Sequence, residues 1–167
     1  LYIIGMFKIP DEKLKNVLVS NGLIEADEFD KYANEANGVG LSVADILITR
    51  GTIPAKYIEN AIGSYLGVPT AELDNKEINR DVLNLLPEEV ARQRRVVLFA
   101  REENGALAAA MEDPTDLPTI QYLERYLRAD VKPYFASGND LNKGFSLYSR
   151  ETAANFKSII EQNIAES

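Results

Sequence analysis

The chain has 167 residues, and its 18 Lys and Arg against 26 Asp and Glu give a formal net charge of −8. It contains no Cys, His or Trp, which excludes disulfides, thiolate nucleophiles, Ser-His-Asp catalysis and the usual zinc sites. The hydrophobic fraction of 46% is that of a globular protein of one domain or two small ones, and the acidic balance disfavours nucleic-acid binding.

The N-terminal segment is apolar but short, and it lacks the basic region of a signal peptide. No stretch of the sequence approaches the ~20 apolar residues of a transmembrane helix. With cysteine also absent, we expect a cytoplasmic protein. Residues 1–10 are predicted to be a leader or remnant, and two origins of residues 1–5 stay open: a native segment, or an upstream remnant before a start at Met6.

The first predicted helix begins near residue 11. Leu14, Val17 and Leu18 recur at helical spacing. Gly22 can end this helix in the left-handed conformation, with Leu23 folding back onto its last turn. A second helix follows and ends in a glycine-containing loop, so the beginning of the chain reads as a helix–turn–helix unit.

The same unit recurs farther along the chain. Leu18–Ile24 matches Leu47–Ile53, so that Gly22 corresponds to Gly51, 29 residues later. Each copy consists of a helix, a glycine stop, a buried isoleucine and the next helix. Two copies are too few for a solenoid, and we predict a duplicated helix–turn–helix part over residues 11–67.

A small α+β unit is predicted over residues 68–138. Val96–Ala100 and Ala106–Met111 are apolar runs typical of strands, and Glu102–Gly105 between them is a hairpin turn signal. Val131–Phe135 is expected as a third strand in the same sheet, with helices packed on one of its faces. The fold class is therefore predicted to be α+β and mainly helical.

Residues 139–167 are predicted to be a helical extension. A short helix at 140–148 precedes an amphipathic helix at 151–164. The apolar stripe of the second helix consists of Phe156, Ile159, Ile160 and Ile164. Since little chain remains to cover this stripe, two alternatives stay open: the extension leads to a missing domain, or it docks on its own domain.

The sequence lacks a motif for nucleotide hydrolysis. Gly138 and Gly144 are one residue too far apart for a phosphate loop, and Phe145 stands where lysine is required. Gly38 and Gly40 lack the third glycine of a dinucleotide fingerprint. We therefore expect no catalytic residue, no cofactor site and no metal site in this chain.

Two charged clusters have both a functional and a structural interpretation. Asp113 and Asp116, with Glu112, would be the ligands of a carboxylate metal enzyme, whereas a turn at Asp113 and a cap on helix 117–128 explain them more simply. The dense basic patch consists of Arg92, Arg94, Arg95 and Arg101. These arginines would either grip a carboxylate-rich partner or lie at a solvated helix end.

A series of motifs in the middle of the chain carries a family resemblance. The series reads Leu86-Pro87-Glu88-Glu89-Val90-Ala91-Arg92, Val96-Val97-Leu98, Leu107-x-x-Ala110-Met111-x-Asp113-Pro114-x-Asp116 and Val131-x-Pro133. In order and spacing it resembles the N-terminal domain of type II secretion and type IV pilus assembly ATPases. The resemblance covers about residues 11–165.

The resemblance implies a non-catalytic docking and regulatory domain of a bacterial motor ATPase. Such a domain binds the cytoplasmic domain of an inner-membrane platform protein, and the parent holds ATP and Mg in a separate, hexamer-forming ATPase domain. The chain would then be cytoplasmic and peripheral to the inner membrane, with no nucleic-acid partner. The expected partner surface consists of Arg92, Arg94, Arg95, Phe156, Ile159 and Ile160.

In one branch of this family the duplicated helical units bind cyclic di-GMP, which is the main alternative function. Each unit there begins with Arg-Leu-Gly and closes with Gln. Here the units begin at Lys13-Leu14-Lys15 and Ser42-Val43-Ala44, and they close at Ala36 and Tyr65. The groups that hold phosphate and guanine are thus replaced, which favours structural duplication over ligand binding. The corresponding motif positions are Lys13, Leu14, Leu18, Gly22, Leu23, Leu47, Gly51 and Ile53.

Overall fold

The computed structural model describes residues 9–73 and 78–166, without the side chains of residues 149–155 and 166. Most of the leader predicted at residues 1–10 lies outside these ranges. The elements are, in chain order, helices α1 (Asp11–Ser20), α2 (Ala26–Val39), α3 (Val43–Thr49), α4 (Ala55–Leu66), α5 (Arg80–Leu83) and α6 (Glu88–Arg94), strands β1 (Val96–Arg101) and β2 (Leu107–Met111), helix α7 (Leu117–Leu127), strand β3 (Val131–Phe135) and helix α8 (Gly138–Glu166).

The two predicted helical units repeat the same turn. Gly22 and Gly51 have φ angles of +69° and +71°, in the left-handed region that glycine adopts without steric cost. The matched hydrogen bonds that follow are Leu23 N–H to Leu18 O and Thr52 N–H to Leu47 O, each 3.0 Å long. The duplication seen in the sequence is therefore reproduced at the level of individual hydrogen bonds.

The four helices of the two units form one hydrophobic core. Helix α1 packs against α4, and α2 packs against α3, so each unit contributes one helix to each pair. The largest fully buried side chains here are Leu14, Leu18, Phe29, Leu47, Ile53, Ile58 and Ile62. Burial of these side chains against one another supplies the main stabilisation of the pairing.

The three predicted strands form a single sheet in the order β1-β2-β3. Strand β1 pairs antiparallel with β2 through the predicted turn, where the Glu102 N–H donates to the Ala106 carbonyl at 2.8 Å. Strand β3 pairs parallel with β2, with α7 as the crossover. The predicted strands and their common sheet, and with them the α+β fold class, are confirmed.

The end of β3 joins the sheet to the helical core. The Ala71 N–H donates to the Phe135 carbonyl at 2.8 Å, and the Phe135 N–H donates to the Pro69 carbonyl at 2.9 Å. The Phe135 side chain is fully buried and belongs to the same hydrophobic cluster as the α1–α4 core. A displacement of the helices relative to the sheet would therefore have to break this pairing.

The prediction of two separate helices at the C-terminal end is wrong. Residues 138–166 form one continuous helix, α8, because no proline and no glycine follows Gly144 to interrupt it. The Ser137 hydroxyl accepts the Asp140 N–H at 3.2 Å near the start of α8. Within the described ranges, α8 and the other helices are each too short or too polar to cross a membrane.

Candidate functional site

Two of the arginines at the end of α6 fasten α8 to the rest of the fold. The guanidinium groups of Arg92 and Arg95 each lie 5.2 Å from the ring centroid of Phe145 on α8. Arg92 also donates to Glu88 at 3.1 Å, and Arg95 forms an ion pair with Glu112, whose side chain is 6% exposed. Both arginines therefore have structural partners in the folded chain.

The third arginine of the cluster, Arg94, has different surroundings. Its guanidinium lies 4.3 Å from the ring centroid of Tyr122 on α7 and donates to the Thr119 hydroxyl at 3.3 Å. The Tyr122 ring is stacked on that of Tyr126, with centroids 6.0 Å apart and planes inclined by 12°. Arg101, the last member of the predicted basic patch, is exposed at the end of β1.

The aromatic pair on α7 was not singled out from the sequence. Tyr122 and Tyr126 lie four residues apart, a spacing that places them side by side on the predicted helix 117–128. That spacing was a usable signal for the stack. The contact of Tyr122 with Arg94 has no such signal in the sequence, since it joins two helices that are distant along the chain.

The acidic loop has the structural roles of turn and cap. The Asp113 carboxylate accepts the Thr115 N–H at 2.9 Å. The Asp116 carboxylate accepts the Thr119 N–H at 3.2 Å and the Thr119 hydroxyl at 2.7 Å, and so caps α7. In the part of the chain that the structure describes, no group of three or more carboxylates is placed to hold a metal ion.

The positions of the cyclic di-GMP motif divide into buried and exposed sets. The side chains of Leu14, Leu18, Leu47 and Ile53 are 2% exposed or less and lie in the helical core. Leu23 is half-buried, whereas Lys13, Gly22 and Gly51 are exposed. The apolar members of the motif thus have packing roles that require no ligand.

The apolar stripe of α8 is exposed along its outer part. Phe156, Ile159, Ile160 and Ile164 are 65%, 55%, 44% and 69% exposed. Phe156 follows Phe145 by 11 residues, which is three helical turns, so the two share a face of α8. The four side chains therefore form an exposed apolar surface on the outer part of α8, on the side of the helix that faces α6 and β1 at Phe145.

Glu59 is a buried carboxyl group at the contact between α4 and the start of α8. The residue is 9% exposed. Burial raises the pKa of Glu59 to about 7, and the nearby Asp140 and Glu72 carboxylates add to the rise. A hydrogen bond with Ser137 and the charge of Lys143 act in the opposite direction. The site links the helical core to α8 through a group that titrates near neutrality.

This pKa gives the protein a pH-dependent stability. A glutamate of ordinary pKa 4.5 ionises in the unfolded chain, whereas the folded chain keeps Glu59 protonated until about pH 7. Its contribution to stability is therefore complete below pH 4.5 and is lost as the pH rises through 7. We expect Glu59→Gln to match the wild type at pH 4 and to exceed it by about 2 kcal/mol at pH 8, since partial solvation reduces the full effect.

Urea unfolding at pH 4, 6 and 8 tests this expectation. A stability difference between Glu59→Gln and the wild type that does not change with pH would contradict it.

The chain matches one protein family and is similar in sequence to two proteins of known function. Residues 66–155 match the MshEN domain. The chain is 30% identical over 131 residues to the type IV pilus assembly ATPase PilB of Thermus thermophilus, and 24% identical over 148 residues to PilB of Myxococcus xanthus. These matches cover 78% and 89% of the chain but 15% and 26% of the two relatives, so the chain spans a minor part of their length.

A solved structure is also similar. The structure of MshE with cdg has a TM-score of 0.62 and 27% sequence identity to this chain, with 81% of this chain and 97% of that one covered. The similarity thus extends over both the helical units and the sheet.

Proposed function

The chain belongs to the MshEN domain family, and from this premise we propose that it docks a motor ATPase onto the cytoplasmic domain of an inner-membrane platform protein. Family membership confirms the resemblance to the N-terminal domains of type II secretion and type IV pilus assembly ATPases. The observation that carries the proposal is the similarity to PilB over 131 residues. The parent protein would be hexameric, cytoplasmic and peripheral to the inner membrane.

The chain itself would neither bind nor hydrolyse ATP. It lacks a phosphate loop, and the carboxylates of its acidic loop are used in a turn and a cap. ATP and Mg would belong to the ATPase domain of the parent. The role of this domain is then docking and regulation, with the motor chemistry located elsewhere in the protein.

Isothermal titration with the purified cytoplasmic domain of the cognate platform protein tests the docking role. We expect saturable binding, and the same binding in the presence and absence of ATP and Mg. Hydrolysis of ATP by the isolated chain, or no binding of the platform domain, would contradict the proposal.

Helix α8 would couple this domain to the motor. Its inner half is anchored by Phe145 and by Tyr148, whose hydroxyl lies 2.9 Å from the carbonyls of Leu83 and Leu86. Its outer half presents the exposed stripe. A rigid helix that is fixed at one end and apolar at the other can transmit a displacement to whatever covers that stripe.

Replacing Ile159 and Ile160 by Ser tests this coupling. Because both side chains are largely exposed, we expect the melting temperature of the isolated chain to change by no more than about 2 °C. The same double change in the full-length ATPase should abolish stimulation of ATP turnover by the platform protein. Val39→Ser, which alters another exposed apolar residue, is the control and should leave stimulation intact.

Two outcomes would contradict the coupling role. A large loss of melting temperature in the isolated double variant would show that the stripe is part of the domain's own core. Full stimulation of the double variant would show that the stripe carries no coupling.

A second candidate function is cyclic di-GMP sensing, and the similarity to MshE, solved with cdg, favours it. The residues at the two ends of each motif argue against this function, because the positions of Arg and Gln in the binding branch are occupied here by Lys13, Ala36, Ser42 and Tyr65. Ala36 is 1% exposed and has no hydrogen-bonding side chain to offer a guanine base.

We expect titration calorimetry with cyclic di-GMP to give a dissociation constant weaker than micromolar, because bidentate cationic contacts to its phosphates are missing. A micromolar or tighter constant would contradict this.

A further inference from the structure

The geometry points to one surface for the docking proposed above, the Arg–Tyr strip formed by Arg94, Tyr122, Arg125 and Tyr126. We propose that this strip binds an acidic segment of the platform protein's cytoplasmic domain, one that alternates carboxylate with aliphatic side chains. The inference rests on the proposed function, since it names the surface that the docking uses.

The strip is a continuous row of side chains along α7. Arg94 contributes the first position from α6, with its guanidinium 4.3 Å from the Tyr122 ring centroid, and Tyr122 is stacked in turn on Tyr126. Arg125 lies three residues after Tyr122, so it is next to that ring on the helix surface. Tyr126 is 51% exposed, Arg125 is exposed, and Arg94 and Tyr122 are half-buried.

The positive charges of Arg94 and Arg125 favour an acidic partner. The chain as a whole is acidic, with a net charge of −8. The ion pairs found among the described residues use Arg50, Arg92, Arg95 and several lysines, and none of them uses Arg94 or Arg125. The strip therefore carries two guanidinium groups that have no ion-pair partner among the described residues, and carboxylates of a partner would supply one.

The stacked rings of Tyr122 and Tyr126 favour a protein interface. Tyrosine and arginine are, with tryptophan, the side chains enriched at energetic hot spots. Stacking of Arg94, Tyr122 and Tyr126 on one another orders these side chains before the partner arrives, which reduces the conformational entropy that binding must remove. Aliphatic side chains of the partner would cover the tyrosine rings, and its carboxylates would reach the two guanidinium groups.

Of the three arginines that the sequence predicts for the partner surface, the structure favours Arg94. Arg92 and Arg95 are held by Glu88, Glu112 and Phe145, so their charges are largely used within the fold. Arg94 alone of the three has an aromatic and a hydroxyl partner in place of a carboxylate. The proposed partner surface therefore keeps Arg94 at the end of α6 and extends from it along the outer face of α7.

The chain offers a closely matched control. Arg125 and Tyr126 on α7 are consecutive, and so are Lys56 and Tyr57 on α4. Tyr57 is 52% exposed and Tyr126 is 51% exposed. The double variants Arg125→Glu/Tyr126→Ala and Lys56→Glu/Tyr57→Ala therefore make the same change of charge and remove equally exposed rings from two different helices.

Titration calorimetry of each full-chain variant with the platform protein's cytoplasmic domain tests the strip. We expect Arg125→Glu/Tyr126→Ala to weaken binding by about 30-fold or more and Lys56→Glu/Tyr57→Ala to weaken it by less than about threefold. Arg125→Lys/Tyr126→Phe should retain most of the affinity, and rising salt should weaken the wild type more than Arg125→Glu/Tyr126→Ala. Circular dichroism melting confirms that each variant is folded.

The outcomes separate the strip from the docking role itself. Equal losses in the two charge-reversing variants, or a loss confined to Lys56→Glu/Tyr57→Ala, would overturn the strip and leave the docking role standing. No binding by the wild-type chain would overturn both.

Discussion

Replacing Glu112 by Ala is expected to lower the free energy of unfolding by about 3 kcal/mol. The Glu112 side chain is 6% exposed, and Arg95, its partner, adopts a left-handed conformation with φ of +54° at the end of α6. Removing the carboxylate leaves a partly buried guanidinium without its counter-charge, and the solvent-exposed part of Arg95 keeps the loss below the upper end for buried pairs. Arg95 would also be less firmly held over Phe145, so the contact between α6 and α8 should weaken as well.

Urea unfolding of Glu112→Ala, Arg95→Ala and the double variant measures the coupling between the two groups. We expect the double variant to lose less than the sum of the single losses. Asp30→Ala is the matched control, because Asp30 forms an ion pair with Lys15 at the surface. Its loss should stay below about 1 kcal/mol. A loss from Glu112→Ala as small as that from Asp30→Ala would show that the inner pair contributes little.

Replacing Gly144 by Val is expected to lower the free energy of unfolding by about 3 kcal/mol. A Cβ atom at Gly144 would lie 2.8 Å and 2.9 Å from the two methyl groups of Val97 on β1, and 3.3 Å from its Cβ. Val97 is fully buried and branched at Cβ, so it has little freedom to move aside. Helix α8 would be forced away from the sheet, and the anchorage of its inner half would be lost.

A second glycine in a helix supplies the control for this prediction. A Cβ at Gly38 in α2 would meet no atom within 4 Å. Gly38→Ala should therefore stabilise the protein by about 0.5–1 kcal/mol, through the higher helix propensity of alanine, whereas Gly144→Ala should destabilise it. Thermal melting that shows stabilisation by Gly144→Ala would mean that α8 does not pack as closely on β1 as the structure indicates.

The parts of this fold that could be predicted are those set by local sequence. The left-handed glycine turns at Gly22 and Gly51, the hairpin near Gly105 and the cap at Asp116 each depend on a few adjacent residues whose backbone or side chain permits little else. The repeated unit was visible because its buried positions recur at a fixed spacing. Local rules were sufficient for these features.

The features that escaped prediction depend on contacts between distant segments. The Glu59 carboxyl on α4 is buried near Ser137 and Asp140 at the start of α8, and the stack of Arg94 on Tyr122 joins α6 to α7. Neither contact leaves a periodic trace in the sequence. The unbroken course of α8 differs from the prediction of one helix at 140–148 and another at 151–164, since no proline or glycine after Gly144 interrupts the helix.

A short series of packed elements connects the proposed docking surface on α7 to helix α8. The strip lies on α7, which packs on β3, and β3 leads directly into α8. Helix α8 is in turn held by α6 through Phe145 and touches the helical units near Glu59. A partner bound at α7 is thus connected to the exposed stripe of α8 by a short series of packed elements.

Deleting the segment that corresponds to residues 11–138 from the full-length ATPase separates the proposed docking role from the motor's chemistry. Binding of the deletion variant to the platform protein's cytoplasmic domain and its basal ATP hydrolysis are measured together. We expect binding to be lost and basal hydrolysis to persist, because the role proposed for this domain is docking and the ATPase chemistry is assigned to another domain of the parent. A deletion variant that still binds the platform domain with unchanged affinity would contradict the account.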